Sequence, residues 1–484
     1  SLFAAILSQT LSEMLKTEIR ISTILDNPST IQLENAINEI LSSKSSSCVK
    51  SEQSVEFGDK PTNFHQQKEK IDDSSDFHQI GIVLSRTNRT HKVFSSNSSD
   101  SSDRTSNFEG FQPNLVVVGE TESDPIIKFR WRIFMEKCVD SSPIILYFPP
   151  NQVEVTDDSR QSCAFICSHS GLIVAATLSK GSVIWKRHLP DRIEANPCIG
   201  VLGIELYVGC YDGKLYSLSV NSGEILWTFQ TENTIKSSPI VHWSPQKRLI
   251  YVASYDCNIY AIQHSNHSIP FAKFSCPKPV FCTPFLDEKR DSLYFGDLSG
   301  VVYCLNPINF AVKWKFSTLS PIFSSPIVET MTGNLILSTV SKGLFCFEPN
   351  GKLLWNYSSI GIVFSSPIIV QKFSNGISQN LICVGSQNQY FYVLSLKSGD
   401  LMFKIRSTAQ IVSSPVWIFS DQQLNIVLFI SIDGVMSLLS INSGVVIAKK
   451  TISSGQIFSS PVVLNQSIFV GSRDEHFYCF DITF

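Results

Sequence analysis

The chain has 484 residues, of which 43% are hydrophobic and 17% charged, and its formal net charge is −3. That content supports a large buried core and more than one domain, and it provides neither a basic field to attract nucleic acid nor an acidic block to repel it. The longest near-continuous apolar run, residues 426–432, has the length of a strand and not of a membrane span, so neither nucleic acid nor a bilayer is an expected partner.

Residues 1–43 read as helical. Phe3, Leu7, Leu11 and Leu15 recur at spacing four, with Ile6 and Met14 beside them, which is the pattern of an amphipathic helix. Ser29-Thr30-Ile31-Gln32 has the form of a capping box and opens a last helix carrying Leu33, Ile37, Ile40 and Leu41. This order resembles the second half of an acyl or peptidyl carrier domain. Ser1-Leu2 matches the Ser-Leu at which that family's arm-bearing helix begins, and Asp26-Asn27-Pro28-Ser29-Thr30-Ile31 matches the entry to its last helix. The resemblance implies a phosphopantetheine arm on Ser1, whose thiol would hold an acyl group as a thioester. A helix N-terminus suits that role, because its free N–H groups and dipole favour a phosphodiester. The family's two preceding glycines and its first helix are not in this sequence. A half-domain of this kind cannot bury both faces of its helices and is expected to be loosely ordered.

Residues 44–113 change character abruptly. Runs such as SSKSSSCVKSEQS and FSSNSSDSSDRTSN are polar and Ser-rich, with too little apolar surface to offset the entropy of ordering, so this stretch reads as a mostly disordered linker. A short apolar patch at residues 80–84 is expected to form a strand or docking peptide.

Residues 114–484 are built from one repeated unit, seen clearly in YVGCYDGKLYSLSVNSGEILW at 207–227. Asp212-Gly213 supplies a hairpin turn, Asn221-Ser222-Gly223 a second one, and alternating side chains lie between. From Tyr216 to Trp227 is 11 residues, and the same offset links Tyr303 to Trp314 and Val174 to Trp185. A Ser-Ser-Pro-like marker precedes each unit, from Ser141-Ser142-Pro143 to Ser459-Ser460-Pro461, and eight copies are present. Four strands per repeat at this period predict an all-β fold, an eight-bladed β-propeller. The last copy lacks its final strand, whereas a strand at residues 126–131 precedes the first marker, so the ring is expected to close through both ends of the domain.

These motifs resemble the repeat named after pyrroloquinoline quinone (PQQ), found in quinoprotein dehydrogenases and in non-catalytic relatives. The resemblance implies that Trp185, Trp227, Trp314 and Trp355 pack between blades. Quinoprotein dehydrogenases clamp the quinone against adjacent cysteines and use a calcium ion. This sequence has no adjacent cysteines, which argues against PQQ as a cofactor.

No nucleotide-binding loop, nucleophile elbow or zinc motif is present, so no catalytic residue and no metal ligand is assigned. Asp212, Asp256, Asp433 and Asp474 recur at equivalent turns, where an Asp side chain caps its own backbone, and they read as turn residues. His169, beside a hairpin turn, and His264 with His267 in a loop are expected to be solvent-exposed. The 13 cysteines are odd in number and contain no C-x-x-C pair, a usage that fits a reducing, cytoplasmic location.

A carrier segment, a Ser-rich linker and a propeller of this repeat type, in that order, resemble the C-terminal part of the beta-alanine-activating enzyme family, which is acyl-CoA-synthetase-like and also described as 2-aminoadipate-semialdehyde-dehydrogenase homologues. The resemblance implies an ATP-dependent amino-acid-activating protein whose adenylation domain lies on a preceding part. That domain would load Ser1, and the propeller would recognise an acceptor protein or small molecule. A quinone-dependent oxidoreductase and a non-catalytic scaffold are the alternatives.

Overall fold

The computed structural model describes residues 77–85, 89–96, 125–148, 162–242, 248–374, 377–419 and 425–483. The helical carrier-like segment, Ser1 included, lies outside the described residues. The chain divides into two compact units, one of residues 1–80, 94–104 and 154–158, the other of the remainder. All eight blades lie in the second; of the first, only residues 77–80 and 94–96 are described.

Among the described residues the structure is all-β, apart from one 3₁₀ turn at Glu288–Arg290. Blade 2 shows how sequence becomes sheet. Cys198–Ile199, Glu205–Gly209, Lys214–Ser219 and Ile225–Gln230 form an antiparallel sheet in chain order. The second strand is buried along its whole length because a neighbouring blade covers each of its faces, while the fourth alternates between exposed and buried positions. In the turn before that fourth strand Gly223 has φ +68°, a conformation that suits glycine.

Seven sheets follow this order or extend it, and the eighth closes the ring. Val462–Leu464, Ser467–Gly471 and His476–Thr483 take Ile126–Phe134 as their outer strand, with Ile126 opposite Thr483 and Phe134 opposite His476. The strand expected to complete the last blade does so. Its Trp131, which the repeat count did not include, is the eighth blade's terminal tryptophan.

Blade 1 carries an addition. Phe77–Ser85 and Arg89–Ser96 extend its sheet to six strands, with Ile82 opposite Tyr147 and Leu84 opposite Ile145 on the blade's inner strand, Ile144–Tyr147. Ile82, Val83 and Leu84 are buried. The apolar patch in the stretch read as linker is therefore a strand docked on the first blade.

Two recurring contacts join the blades. On the outer side each tryptophan lies across the turn glycine of the next blade: Trp131 on Gly181, Trp185 on Gly223, Trp314 on Gly351 and Trp355 on Gly399. The indole N–H of each then donates to a carbonyl of that turn, at 3.2 Å to Leu178, 2.8 Å to Val220, 2.8 Å to Pro349 and 3.0 Å to Leu396. Blade 3 has no glycine at this position, and Trp227 stacks instead on His267, with ring centroids 4.8 Å apart. His267 is thus a packing residue.

On the inner side the second residue of seven of the eight Ser-Ser-Pro-like markers accepts a hydrogen bond from the backbone of the preceding blade. The donors run from Ser142 to Asn196 (2.6 Å), Asn196 to Ser238 (3.0 Å), Thr283 to Ser325 (3.1 Å), Ser325 to Ser366 (2.9 Å), Ser366 to Ser414 (3.1 Å), Ser414 to Ser460 (2.9 Å), and Ser460 back to Ser142 (2.9 Å). The first serine works within its own blade, as where Ser237 donates to the Ala253 carbonyl and accepts from the Ala253 amide. The marker recurs because its two serines serve different neighbours.

A Cβ added at Gly223 would lie 2.5 Å from the Trp185 ring, whereas at Gly444, also left-handed at φ +72°, its nearest neighbour would be Phe403 at 3.8 Å. Gly223→Ala should therefore cost about 2–4 kcal/mol and Gly444→Ala only about 1 kcal/mol, the first carrying overpacking in addition to backbone strain. Urea denaturation of the two variants measures the difference, and equal costs would contradict the docking role of Trp185.

Candidate functional site

The inner strands surround a central cavity of about 340 Å³, lined by residues from all eight blades. The residue three places before each recurrent proline faces it. In blade order these are Asp140, Glu194, Lys236, Phe281, Phe323, Phe364, Val412 and Phe458. The hydroxyl-bearing second marker residues form a further tier of the lining, and Gln387 and Arg473 enter from neighbouring hairpin turns.

Charge and aromatic surface are segregated around this ring. Blades 8, 1 and 2 contribute an ionic arc. Arg473 donates from Nε and Nη2 to the two oxygens of Asp140, at 2.8 and 2.6 Å, across the seam where the ring closes. His169 Nε2 lies 3.3 Å from the same carboxylate and 3.8 Å from that of Glu194, which pairs with Arg192. Burial alone would raise the Asp140 carboxyl. The Arg473 and His169 contacts outweigh it and hold the group at about 2. Burial, and then the Glu194 carboxylate beside it, push the Tyr211 hydroxyl above its usual range.

Blades 3 to 6 contribute a run of rings. The Lys236 ammonium sits 5.0 Å from the Tyr211 ring centroid and 4.4 Å from that of Tyr255. Tyr255 meets Phe281 at 6.5 Å, Phe281 meets Phe323 at 5.1 Å, and Phe323 meets Phe364 edge-on at 5.3 Å. On the other side of the cavity the Arg473 guanidinium covers the Phe458 ring at 3.6 Å.

Asp140, His169 and Glu194 bring their ligand atoms within 4.8 Å of one another, close enough to attract a cation. Both acids already pair with guanidinium groups, so the cluster is balanced by the protein's own charge and is assigned no metal. The expectation that His169 is solvent-exposed is corrected: its side chain is 11% exposed, because its ring is set among the side chains of Asp140, Arg192 and Glu194. His264 is corrected too. It packs between blades, with Nε2 2.5 Å from the buried Glu205, which also accepts from the Ser217 hydroxyl. Two of the turn aspartates cap their own backbone as expected, Asp212 accepting from the Lys214 amide and Asp256 from that of Asn258. Asp212, Asp256 and Asp474 each accept from a tyrosine hydroxyl four residues on, and Asp433 accepts from Ser431.

The twelve cysteines among the described residues are all free. Burial pushes thiols such as Cys163 and Cys346 up to about 12, so they act as small apolar side chains. Ser1 falls outside the described residues, and no geometry bears on it. The cavity-lining charges and rings were not singled out from sequence, although their signal is present at one fixed offset before each recurrent proline.

Eight blades, a strand exchanged between the chain ends and a polar-aromatic funnel define an eight-bladed β-propeller. Residues 135–482 match the family model described as "Beta-alanine-activating enzyme, beta-propeller", and the chain belongs to that family. The beta-alanine-activating enzyme of Drosophila melanogaster is 27% identical over 376 residues, covering 74% of this chain and 35% of the fly protein. The Homo sapiens enzyme of the same name is 38% identical over 89 residues, or 18% of this chain and 8% of the human one. The matched part thus spans about a third of the fly relative. Among solved structures, BamB from Moraxella catarrhalis aligns with a TM-score of 0.56 at 16% identity, covering 74% of this chain and 98% of BamB. A europium-containing methanol dehydrogenase aligns with a TM-score of 0.55 at 10% identity, covering 73% of this chain and 93% of that one. At these identities the likeness is one of fold. Among the described residues, no helix is long and apolar enough to cross a membrane.

The depressed Asp140 carboxyl has a consequence for stability. A group whose pKa is lower folded than unfolded contributes above its unfolded value and loses the contribution as pH falls through its folded value, here between about 4 and about 2. Asp140→Asn should cost about 2 kcal/mol at pH 6, with the gap to wild type closing toward pH 2. Denaturant titrations along a pH series measure it, and a pH-independent gap would contradict the ion pair.

Proposed function

We propose that this chain is the C-terminal carrier-and-propeller part of an ATP-dependent amino-acid-activating protein. The observation that supports this most directly is the family match over residues 135–482 to the propeller of beta-alanine-activating enzymes. An adenylation domain on a preceding part would activate beta-alanine or a close analogue, and Ser1 would take the aminoacyl group on a phosphopantetheine thiol. A thioester keeps the acyl group activated for transfer to an amine, and the Ser-rich stretch after the carrier segment is long enough to let it travel. The propeller would then be the recognition part, a rigid ring presenting a shaped funnel to the acceptor.

The cavity gives no support to the quinone reading. The acids nearest to forming a cation site pair with arginines, and the sequence has no adjacent cysteines to clamp a quinone.

Mass spectrometry of the full-length protein from its native source tests the proposal. The peptide containing Ser1 should carry the mass of a phosphopantetheine arm, and ATP with beta-alanine should add a hydroxylamine-sensitive acyl group that Ser1→Ala abolishes. An unmodified Ser1 peptide, or loading that survives Ser1→Ala, would overturn the carrier role.

A further inference from the structure

We infer that the central cavity is a binding site for a small anion with an apolar body. Its charged head would lie at Lys236 and the hydroxyl tier, and its body on the Phe281, Phe323 and Phe364 rings. The inference needs only the propeller, and it stands or falls separately from the carrier role of Ser1.

Charge decides the sign of the ligand. Of the ionic groups around the cavity, Asp140 is matched by Arg473 and Glu194 by Arg192. Lys236 has no carboxylate within ion-pair distance among the described residues, and its contacts there are the faces of Tyr211 and Tyr255. Cation–π contact steadies an ammonium without neutralising it, so its field remains available to an incoming anion. A cationic ligand would find both acids already engaged.

The hydroxyl tier points the same way on independent grounds. Ser142, Ser238, Ser366, Ser414 and Ser460 line the cavity and are between 2% and 8% exposed. Each hydroxyl oxygen except that of Ser238 accepts the amide of a neighbouring blade's serine; Ser238 accepts that of Asn196. With the oxygen fixed as acceptor, the hydroxyl proton is left to give, and no protein acceptor takes it from these five among the described residues. Asn196 likewise accepts through Oδ1 and has its amide protons to offer. A buried ring of donors turned to one cavity is matched by an acceptor-rich head group.

Size and shape set the rest. A volume of about 340 Å³ lies at the lower end of the range for small-molecule pockets. Lys236, Tyr255, Phe281, Phe323 and Phe364 form an unbroken series around one side, so a ligand of one ring or a short chain would meet apolar surface as soon as its head is placed.

Isothermal titration of the whole chain with 3-phenylpropionate, 3-phenylpropan-1-ol and 3-phenylpropylamine tests this, since the three probes share a body and differ in head charge. The acid should bind with a Kd below about 1 mM and at least about tenfold more tightly than the alcohol, with the amine weakest. Lys236→Met should weaken the acid about tenfold and leave the alcohol unchanged, while Phe323→Ala should weaken both. Thermal melts of each variant confirm folding, and the wild-type comparison of the three probes decides the matter if a variant fails to fold. Equal affinity for acid and amine, an acid affinity indifferent to Lys236→Met in a folded variant, or no saturable binding of the acid would overturn the inference.

Discussion

Everything in this structure depends on ring closure. Sheets packed face to face around a ring leave the outer faces of the first and last blades uncovered unless those two blades meet, and exposed apolar faces invite association with other chains. Here the strand Ile126–Phe134 supplies the outer edge of a blade whose other three strands come from the far end of the sequence. The seam is then fastened from several directions. Ser460 donates to Ser142, Val139 to the Ser472 carbonyl and Met135 to the Glu475 carbonyl, while Arg130 reaches Asp481. The Asp140–Arg473 pair crosses the same seam, so the ionic side of the funnel exists only when the ring is shut.

Different forces act at different radii. The middle strands of the blades are buried along their length and mostly apolar, and burial between blades is the main source of cohesion. Each inner-ring hydrogen bond contributes only about 1 kcal/mol net, which is small beside that burial but directional, so it sets how far one blade rotates against the next. At the outer side the tryptophans combine both effects. The ring buries a large apolar face on a glycine that has no side chain to obstruct it, and the indole N–H fixes its angle.

Much of this was legible in the sequence because a repeat reports its own geometry. The 11-residue offset from the aromatic after the first turn to the terminal tryptophan fixed the outer hairpin, and the missing final strand of the last copy pointed to the exchanged strand. The patch at 80–84 was read as a strand or docking peptide, though its partner, the inner strand of blade 1, could not be named. The funnel was less legible, because its chemistry comes from residues that deviate from the repeat. Asp140, Glu194 and Lys236 hold the position that aromatic side chains take in four of the other blades, and a search for conserved markers passes over such departures. His264 and Glu205 were invisible as a pair for another reason: they lie 59 residues apart on different blades, and only the circular arrangement brings them to 2.5 Å.

Hydrogen exchange of the backbone amides in Ile126–Phe134 is the most direct test of closure. If the strand is an integral part of the eighth blade, its paired amides will exchange only with global unfolding, at the same free energy as those of His476–Thr483. Exchange of Ile126–Phe134 at a markedly lower free energy than its partner strand would contradict the account, since it would mean that the ring opens at this seam while the rest of the propeller stays folded.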